Sequence, residues 1–506
     1  MMRYVQAVIF LMMSAVVVET GPLPAAQAAN QQLEEAVMEV LGRYRQDPAD
    51  WGVQIRSLER GDDLVHLNPR RRYLPASNLK LLVTAIALDR LGAGYRWRTT
   101  VMADGRIDSS GVLAGDLVLR GSGDPTISNR FWPEVHSAWD SLAAQVESAG
   151  ITRVRGRLLA DNSLFKPPYL ASGWGWEDLA WWYAAPASAL SYNDNTIDVQ
   201  VWPARRAGER PRLEIKPENS PFSIANRART VARRIDSRLI IARDTPGGEI
   251  SLGGGIYRGS LGYLEHVAVE DPGRFAAEAF ADALARRGIR IDGPVEVLVG
   301  GSEEPDYLDR APSLVGQITS PPLTEIVKVI NKRSHNFYAE QLLFTLGAAA
   351  GGEGSFAGGI DVEKRVLSSL GVDIGQLRLE DGSGLSRLNL VTTDMFIRLL
   401  AWMDRHVHNE EFVASLPVGG RDNGLRQLRN TRAAGRLFAK TGFIASVIAL
   451  SGYTWTGDGE KVAFSIMGNN WLMPNGRARR ILRDICVEIV ESKRPAGTAD
   501  ELELRP

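Results

Sequence analysis

Three short motifs stand in a fixed order along this 506-residue chain: Ser-Asn-Leu-Lys at 77–80, Ser-His-Asn at 334–336 and Lys-Thr-Gly at 440–442. Residues of these types can supply an activated serine, a proton relay and a cationic strand for a substrate carboxylate. About half of the chain lies between the first two motifs, and about a fifth lies between the second and third. If the motifs act together, the fold must bring three distant segments to one site.

The first motif lies at the start of a predicted helix that runs from about Ser77 to Leu91 and ends at Gly92. Residues i and i+3 lie on the same face of a helix, so Lys80 would face Ser77. Apolar neighbours would desolvate Lys80 and lower its pKa, which makes its amine a base for the serine hydroxyl. Taken alone, the motif also fits an ordinary N-cap serine followed by a solvent-facing lysine.

The other two motifs carry groups that could complete such a site. Ser334, between two predicted helices, could pass a proton to a leaving amine, and Asn336 could hold the lysine or a substrate carbonyl. Lys440 and Thr441 lie on a predicted strand where they could face a terminal carboxylate, and Gly442 allows close backbone approach. Taken alone, these residues also fit turn chemistry and a solvated lysine at a strand end.

Two other segments repeat the motif patterns and are predicted to be coincidences. Ser163–Lys166 matches the first pattern, but Pro167 and Pro168 follow at once, so no helix can place both groups on one face. Ser191–Asn193 matches the second pattern but lies in a strand-rich part of the chain. We therefore expect neither segment to contribute to catalysis.

The strand and helix patterns predict an α+β fold in which an antiparallel sheet flanked by helices is split by a long insertion. A hairpin is predicted from Trp51 to Asn68, and a three-strand run from 436 to 468 precedes a final helix. Residues 99–305 are predicted to form a strand-rich insertion of two subdomains. The catalytic domain would then comprise residues 29–98 and 306–506.

The start of the chain predicts export. Residues 1–28 combine Arg3, an apolar stretch and the small residues Ala26-Gln27-Ala28, which is typical of a secretory signal peptide; a retained membrane anchor is the alternative. We expect a periplasmic protein with at most peripheral membrane association.

The composition argues against several other classes of partner and cofactor. A net charge of −1 argues against a nucleic-acid partner, and Cys486, the single cysteine, cannot form an internal disulfide. The dispersed histidines give no reason to expect a metal or another cofactor.

The surroundings of the motifs resemble the class C low-molecular-mass penicillin-binding proteins. These form the D-Ala-D-Ala carboxypeptidase and endopeptidase family, serine peptidase family S13. The resemblance runs from about Pro75 to Asn470. The segments that carry it are Leu119–Thr126, Tyr183–Pro186, Ser191–Asn195, Ser320–Ile326, Asn331–Glu340, Asp381–Arg387 and Pro417–Asp422. It implies a penicillin-binding, serine β-lactamase-like domain split by the insertion.

The resemblance also implies roles for individual residues. Ser77 would be the acylated nucleophile, Lys80 its general base and Ser334 the proton relay, with Asn336 orienting the site. The residues implied to bind substrate are Lys440, Thr441, Gly442, Phe443 and Asp161. In that set, Lys440 and Thr441 would bind the terminal carboxylate, and the backbone N–H groups of Ser77 and Phe443 would form the oxyanion hole. Asp161 would meet the free amine of a diaminopimelyl side chain.

Two residues depart from the family pattern. Phe443 stands where the family often has a small hydroxyl residue, and His335 stands where an aspartate is frequent; we expect the His335 side chain to point away from the site. The predicted function is a serine DD-peptidase. It would hydrolyse D-Ala-D-Ala termini or D-Ala–diaminopimelate cross-links of peptidoglycan stem peptides and be inhibited by β-lactams. The alternatives are a β-lactamase or esterase on the same catalytic set, and a catalytically silent wall-binding protein.

Overall fold

The computed structural model describes residues 25–43, 49–218, 224–243, 249–301 and 305–494. Most of the predicted signal peptide, residues 1–24, lies outside the described residues. The described α-helices are α1 (Ala25–Gly42), α2 (Lys80–Leu91), α3 (Ser137–Ser148), α4 (Pro272–Arg286), α5 (Leu323–Arg333), α6 (Asn336–Leu346), α7 (Phe356–Ser369), α8 (Thr393–Asp404), α9 (Asn409–Ser415) and α10 (Asn475–Glu491).

The strands of the described residues fall into four sheets. They are β1 (Asp50–Ser57), β2 (Asp63–Leu67), β3 (Arg98–Ile107), β4 (Val112–Arg120), β5 (Arg153–Val154), β6 (Leu158–Asn162), β7 (Thr196–Trp202), β8 (Arg212–Lys216), β9 (Ile224–Asn226), β10 (Arg229–Val231), β11 (Arg238–Arg243), β12 (Ile250–Tyr257), β13 (Tyr263–Ala268), β14 (Arg290–Ile291), β15 (Val295–Val299), β16 (Ser313–Thr319), β17 (Phe438–Ile444), β18 (Val447–Trp455) and β19 (Lys461–Asn469).

The first and last strands of the chain belong to one antiparallel sheet with the order β17-β18-β19-β1-β2. The predicted hairpin supplies β1 and β2, and the predicted closing run supplies the other three strands. Asp50 of β1 pairs with Asn469 of β19, and the register continues to Ser57 opposite Val462. Helices α1 and α10 pack together and on this sheet, around a core that includes Val37, Phe464 and Ile485.

Helix α2 lies at the centre of a helical layer. It packs against α5, α6, α7, α8 and α9, and its apolar side chains Leu81, Leu82, Val83, Ile86 and Leu88 are fully buried. It ends where Gly92, with φ of 81°, donates its backbone N–H to the carbonyl of Leu88. The turn before it, Ala76–Leu79, is a 3₁₀ helix. The helix that carries the first motif is therefore a core helix, as predicted.

The remaining three sheets occupy the middle of the chain. One has the order β14-β5-β4-β3-β16 with β6 and β15 attached, a second is β13-β7-β8, and a third joins β9, β10, β11 and β12. Helices α3 and α4 pack on each other within a separate core that contains Trp139 and Phe280. Strand β16 (313–319) pairs with β3, although it lies beyond the predicted boundary at residue 305. The pairing favours an insertion that extends through Thr319, which we propose as its boundary.

Candidate active site

Ser77 lies in the tight 3₁₀ turn between Pro75 and α2. The turn is fixed to the sheet by Asn78, whose Nδ2 donates to Ser451 Oγ of β18 at 2.7 Å. Gly442 of β17 faces the same turn: a Cβ added there would lie 2.5 Å from the Pro75 carbonyl oxygen and 3.0 Å from the Asn78 nitrogen. Only glycine lets the strand come this close. The first and third motifs are therefore in direct contact.

Lys80 is fully buried directly behind Ser77. Its Nζ lies 2.9 Å from Ser77 Oγ, 2.7 Å from Asn336 Oδ1 and 2.7 Å from the carbonyl oxygen of Ser383. Burial lowers the pKa of Lys80 strongly, and the nearby carboxylates of Glu340 and Asp381 oppose that shift. A neutral Lys80 amine can donate to Asn336 and Ser383 while its lone pair accepts from the Ser77 hydroxyl.

Ser334 and Lys440 form the second half of the site. Ser334 ends α5 with φ of 57°, a left-handed conformation that few non-glycine residues adopt. Lys440 Nζ donates to Ser334 Oγ at 2.9 Å and to the carbonyl oxygen of Thr441 at 2.8 Å. Burial lowers the pKa of Lys440 far below its usual range, and the charge of Lys80 lowers it further. An anion that reached Lys440 would stabilise its ammonium form.

Asn336 begins α6 and uses both ends of its side chain. Its Oδ1 accepts from Lys80, and its Nδ2 donates to the carbonyl oxygen of Tyr183 in the insertion at 2.7 Å. Of the two roles predicted for Asn336, the geometry favours holding the lysine over binding a substrate carbonyl. The insertion therefore helps to orient the residue that holds the base.

His335 is directed towards the insertion, in line with the prediction that it points away from the catalytic groups. Its Nε2 lies 3.3 Å from Asp194 Oδ2, and its ring packs edge-on against Tyr338 and Trp182. Asp194 is also held by Arg130 Nη2 at 3.0 Å, and both partners keep the pKa of its carboxyl below its usual range. His335 is thus a structural link and does not reach the reacting groups.

The contacts of Asp161 within the described part of the chain are with residues other than the predicted site residues. Its carboxylate lies on β6 and is nearly fully buried, accepting from the backbone N–H of Ser163 at 2.9 Å and from the Tyr307 hydroxyl. Arg120 lies 3.6 Å away. These partners fix the carboxylate, and its predicted contact with a substrate amine stays a prediction.

Phe443 follows Gly442 on β17 and keeps its side chain partly exposed. The residue is 37% exposed, and the centre of its ring lies 5.0 Å from the guanidinium carbon of Arg479. The side chain is therefore held at the surface beside the site. The role predicted for this residue rests on its backbone N–H alone.

Neither coincidental motif contributes to this cluster. Lys166 lies at the surface, where it pairs with Glu353 at 3.3 Å, and Ser163 caps the Asp161 carboxylate. Ser191 is buried and accepts from Gln341 Nε2 at 3.0 Å. Both segments have structural roles.

Among the described residues, no group of three or more His, Cys, Asp and Glu side chains is arranged to hold a metal ion.

Several residues of the site had no role in the sequence-based prediction. Glu340 accepts from the backbone N–H groups of Gly382 and Ser383 at 2.8 and 2.9 Å. Asp381 accepts from the backbone N–H of Gly384 at 2.8 Å and from Trp174 Nε1 at 2.9 Å. Both residues lie in segments that carry the resemblance, but no motif spacing links either of them to Lys80.

These contacts place a buried lysine within hydrogen-bond distance of a serine hydroxyl, an arrangement typical of serine enzymes that use a lysine base. The family model described as the D-Ala-D-Ala carboxypeptidase 3 (S13) family matches residues 33–490. The chain belongs to this family, which confirms the predicted family, the penicillin-binding-like α+β fold and the serine DD-peptidase function.

Individual relatives agree. The D-alanyl-D-alanine carboxypeptidase of Actinomadura sp. (strain R39) is 33% identical over 466 residues, covering 89% of this chain and 84% of the relative. The D-alanyl-D-alanine carboxypeptidase DacB of Haemophilus influenzae is 25% identical over 424 residues, covering 82% and 84%. The crystal structure of penicillin binding protein 4 from Haemophilus influenzae superposes with a TM-score of 0.78 at 22% identity, covering 90% of this chain and 99% of that one.

Proposed function

We propose that the chain is a penicillin-sensitive DD-peptidase that works through an acyl-enzyme on Ser77. The observation that carries the proposal is the buried Lys80 amine, 2.9 Å from Ser77 Oγ and held by Asn336 and Ser383. Because burial lowers the pKa of Lys80, its neutral form is accessible near physiological pH and can take the serine proton.

Acylation begins when the Ser77 hydroxyl proton moves to Lys80 Nζ and Ser77 Oγ bonds to the carbonyl carbon of the penultimate D-alanine. The negative charge on the carbonyl oxygen is stabilised by the backbone N–H groups of Ser77 and Phe443. Support for this pairing comes from the contact between Gly442 and the Ser77 turn. Collapse of the intermediate breaks the C–N bond, and the proton held by Lys80 passes through Ser334 to the leaving amine, which leaves Lys80 neutral again.

In deacylation, Lys80 again acts as the base, this time for a water molecule. A water molecule attacks the acyl carbon while Lys80 takes one of its protons, and that proton returns to Ser77 Oγ as the ester bond breaks. The peptide leaves with a new carboxylate. The site thus returns to its starting state.

The substrate would lie along β17 with its terminal carboxylate at Lys440 and Thr441. This placement fits a substrate with a free carboxylate on the residue that follows the scissile amide, because the carboxylate restores the charge that burial disfavours on Lys440. Both a D-Ala-D-Ala terminus and a D-Ala–diaminopimelate cross-link of peptidoglycan meet this requirement. A β-lactam offers a strained amide carbonyl to Ser77 and a carboxylate to Lys440 and Thr441. It would therefore acylate Ser77.

We propose a periplasmic location, supported by the predicted signal peptide at residues 1–28. None of the helices in the described ranges has the length and apolar character needed to cross a bilayer.

The proposal is tested by incubating the full-length protein with diacetyl-Lys-D-Ala-D-Ala and measuring released D-alanine. Wild type should release it, and Ser77→Ala should release none, while Ser163→Ala, the serine of the coincidental motif, should match wild type. D-alanine release by the Ser77→Ala variant would overturn the proposal.

A further inference from the structure

Helix α6 reaches Lys80 at two places. Asn336, in its first turn, accepts directly from Lys80 Nζ. Glu340 lies four residues later, on the same face of the helix. Its two carboxylate oxygens accept from the backbone N–H groups of Gly382 and Ser383. The carbonyl of that same Ser383 is the third partner of Lys80.

We infer that Glu340 is a positioning residue for the general base: its two carboxylate oxygens hold the backbone at 382–383 so that the Ser383 carbonyl meets Lys80. The inference rests on the proposed role of Lys80. Under this inference, Glu340 helps to activate Ser77 through Lys80 and does not contact the substrate.

The geometry supports the positioning role. The segment from Asp381 to Ser386 has no regular secondary structure, so its shape depends on its hydrogen bonds. Asp381 holds the backbone N–H groups of Gly384 and Ser386, whereas Glu340 holds those of Gly382 and Ser383 through its side chain. Loss of the Glu340 carboxylate would release the peptide unit next to the carbonyl that Lys80 uses.

Glu340 also affects the charge state of Lys80. Glu340 and Asp381 favour its ammonium form, while burial opposes it. The charged forms of Lys440 on β17 and of His335 would also oppose it, but burial lowers the pKa of both side chains. Burial raises the pKa of Glu340 and the Asp381 charge raises it further, whereas the N–H donors and Lys80 lower it. The protonation state of Lys80 therefore affects the pKa of Glu340, and the protonation state of Glu340 affects the pKa of Lys80.

Glu363 on α7 provides a matched control. It is a buried glutamate near Glu340, and neither of its oxygens has a hydrogen-bond partner in the part of the chain that the structure describes. Burial raises its pKa far above the usual range, and the charges of Glu340 and Asp381 add to the shift. Its replacement by glutamine releases no backbone N–H group, and the carboxylates that shift the pKa of Lys80 are Glu340 and Asp381.

The test is the second-order rate constant for penicillin acylation of the full-length protein, measured from pH 5 to pH 10. Lys80 acts as a base only when neutral, so the rate rises as pH passes its pKa. Glu340→Gln removes a carboxyl group whose ionised form favours the Lys80 ammonium, so the midpoint should move down by about one pH unit. The plateau should also fall by about tenfold or more, because the Ser383 carbonyl is misplaced. Glu363→Gln should keep both the midpoint and the plateau.

A lower plateau with an unchanged midpoint, or a profile that matches Glu363→Gln, would overturn the inference. Should Glu340→Gln not fold, Glu340→Asp keeps the charge but withdraws it from the N–H groups, so it should lower the plateau and keep the midpoint. A wild-type plateau in that variant would overturn the positioning role. Absence of acylation in wild type would instead refute the proposed function itself.

Discussion

The contact between Gly442 and the Ser77 turn can be tested by adding a single methyl group. An alanine Cβ at position 442 would lie 2.5 Å from the Pro75 carbonyl oxygen, whereas an ordinary contact begins near 3.4 Å. Strand or turn must therefore move by about 0.9 Å. The φ of Gly442 is not positive, so the effect of Gly442→Ala is one of space and not of backbone conformation.

A displacement of this size should separate the Ser77 and Phe443 N–H groups from the position of the oxyanion. We expect penicillin acylation of Gly442→Ala to fall about 100-fold. Overpacking should lower the free energy of unfolding by about 1–3 kcal/mol. Stopped-flow acylation measures the first effect and thermal unfolding the second.

The control for this prediction is Gly476→Ala. Gly476 lies in the first turn of α10, and an added Cβ there meets nothing within 4 Å. The control should acylate at the wild-type rate. Acylation of Gly442→Ala within about twofold of wild type would refute the proposed oxyanion geometry, because the strand would then tolerate the shift.

Three further predictions follow from the site. Lys440→Ala should reduce kcat/KM for a peptide with a free terminal carboxylate by about 30- to 100-fold more than for the amidated peptide. The reason is that the variant loses a charge-assisted contact with the carboxylate. Equal losses of kcat/KM for the two peptides would contradict this prediction. The wild-type acylation rate should fall as pH drops through the lowered pKa of Lys80, since the ammonium form cannot accept the Ser77 proton, and a rate that stays flat down to pH 5 would exclude Lys80 as the base. Asp161→Asn should lower the melting temperature and leave acylation unchanged, because its carboxylate holds Ser163, Tyr307 and Arg120. A selective loss of affinity for substrates with a free side-chain amine would support its predicted role, and unchanged affinity would contradict that role.

Sequence patterns predicted helices and strands well where a periodic apolar pattern ends at a glycine or proline. The helix after Ser77 combines a buried apolar run with a terminal Gly92, and the structure shows both. Helix α3 was not predicted, although Trp139, Leu142 and Val146 recur with helical spacing. Glycine and proline turns on either side of it favoured strands.

Long-range contacts explain what the sequence could not predict at the site. Glu340 and Ser383 meet at Lys80 only because α6 packs against the segment from Asp381 to Ser386. No spacing rule links residues so far apart in the chain. The match at Asp161 concerned residue type in a short segment and could not show that the carboxylate would be satisfied by Tyr307 and Ser163.

The most direct test of the account is the intact mass of the protein after exposure to penicillin, with wild type and Ser77→Ala compared. We predict one covalent adduct of the mass of the drug on wild type and none on Ser77→Ala. Stable modification of the variant, or a folded wild type that forms no adduct and does not consume the drug, would contradict a Ser77 acyl-enzyme. Rapid consumption of the drug by wild type without an accumulated adduct would instead favour the β-lactamase alternative.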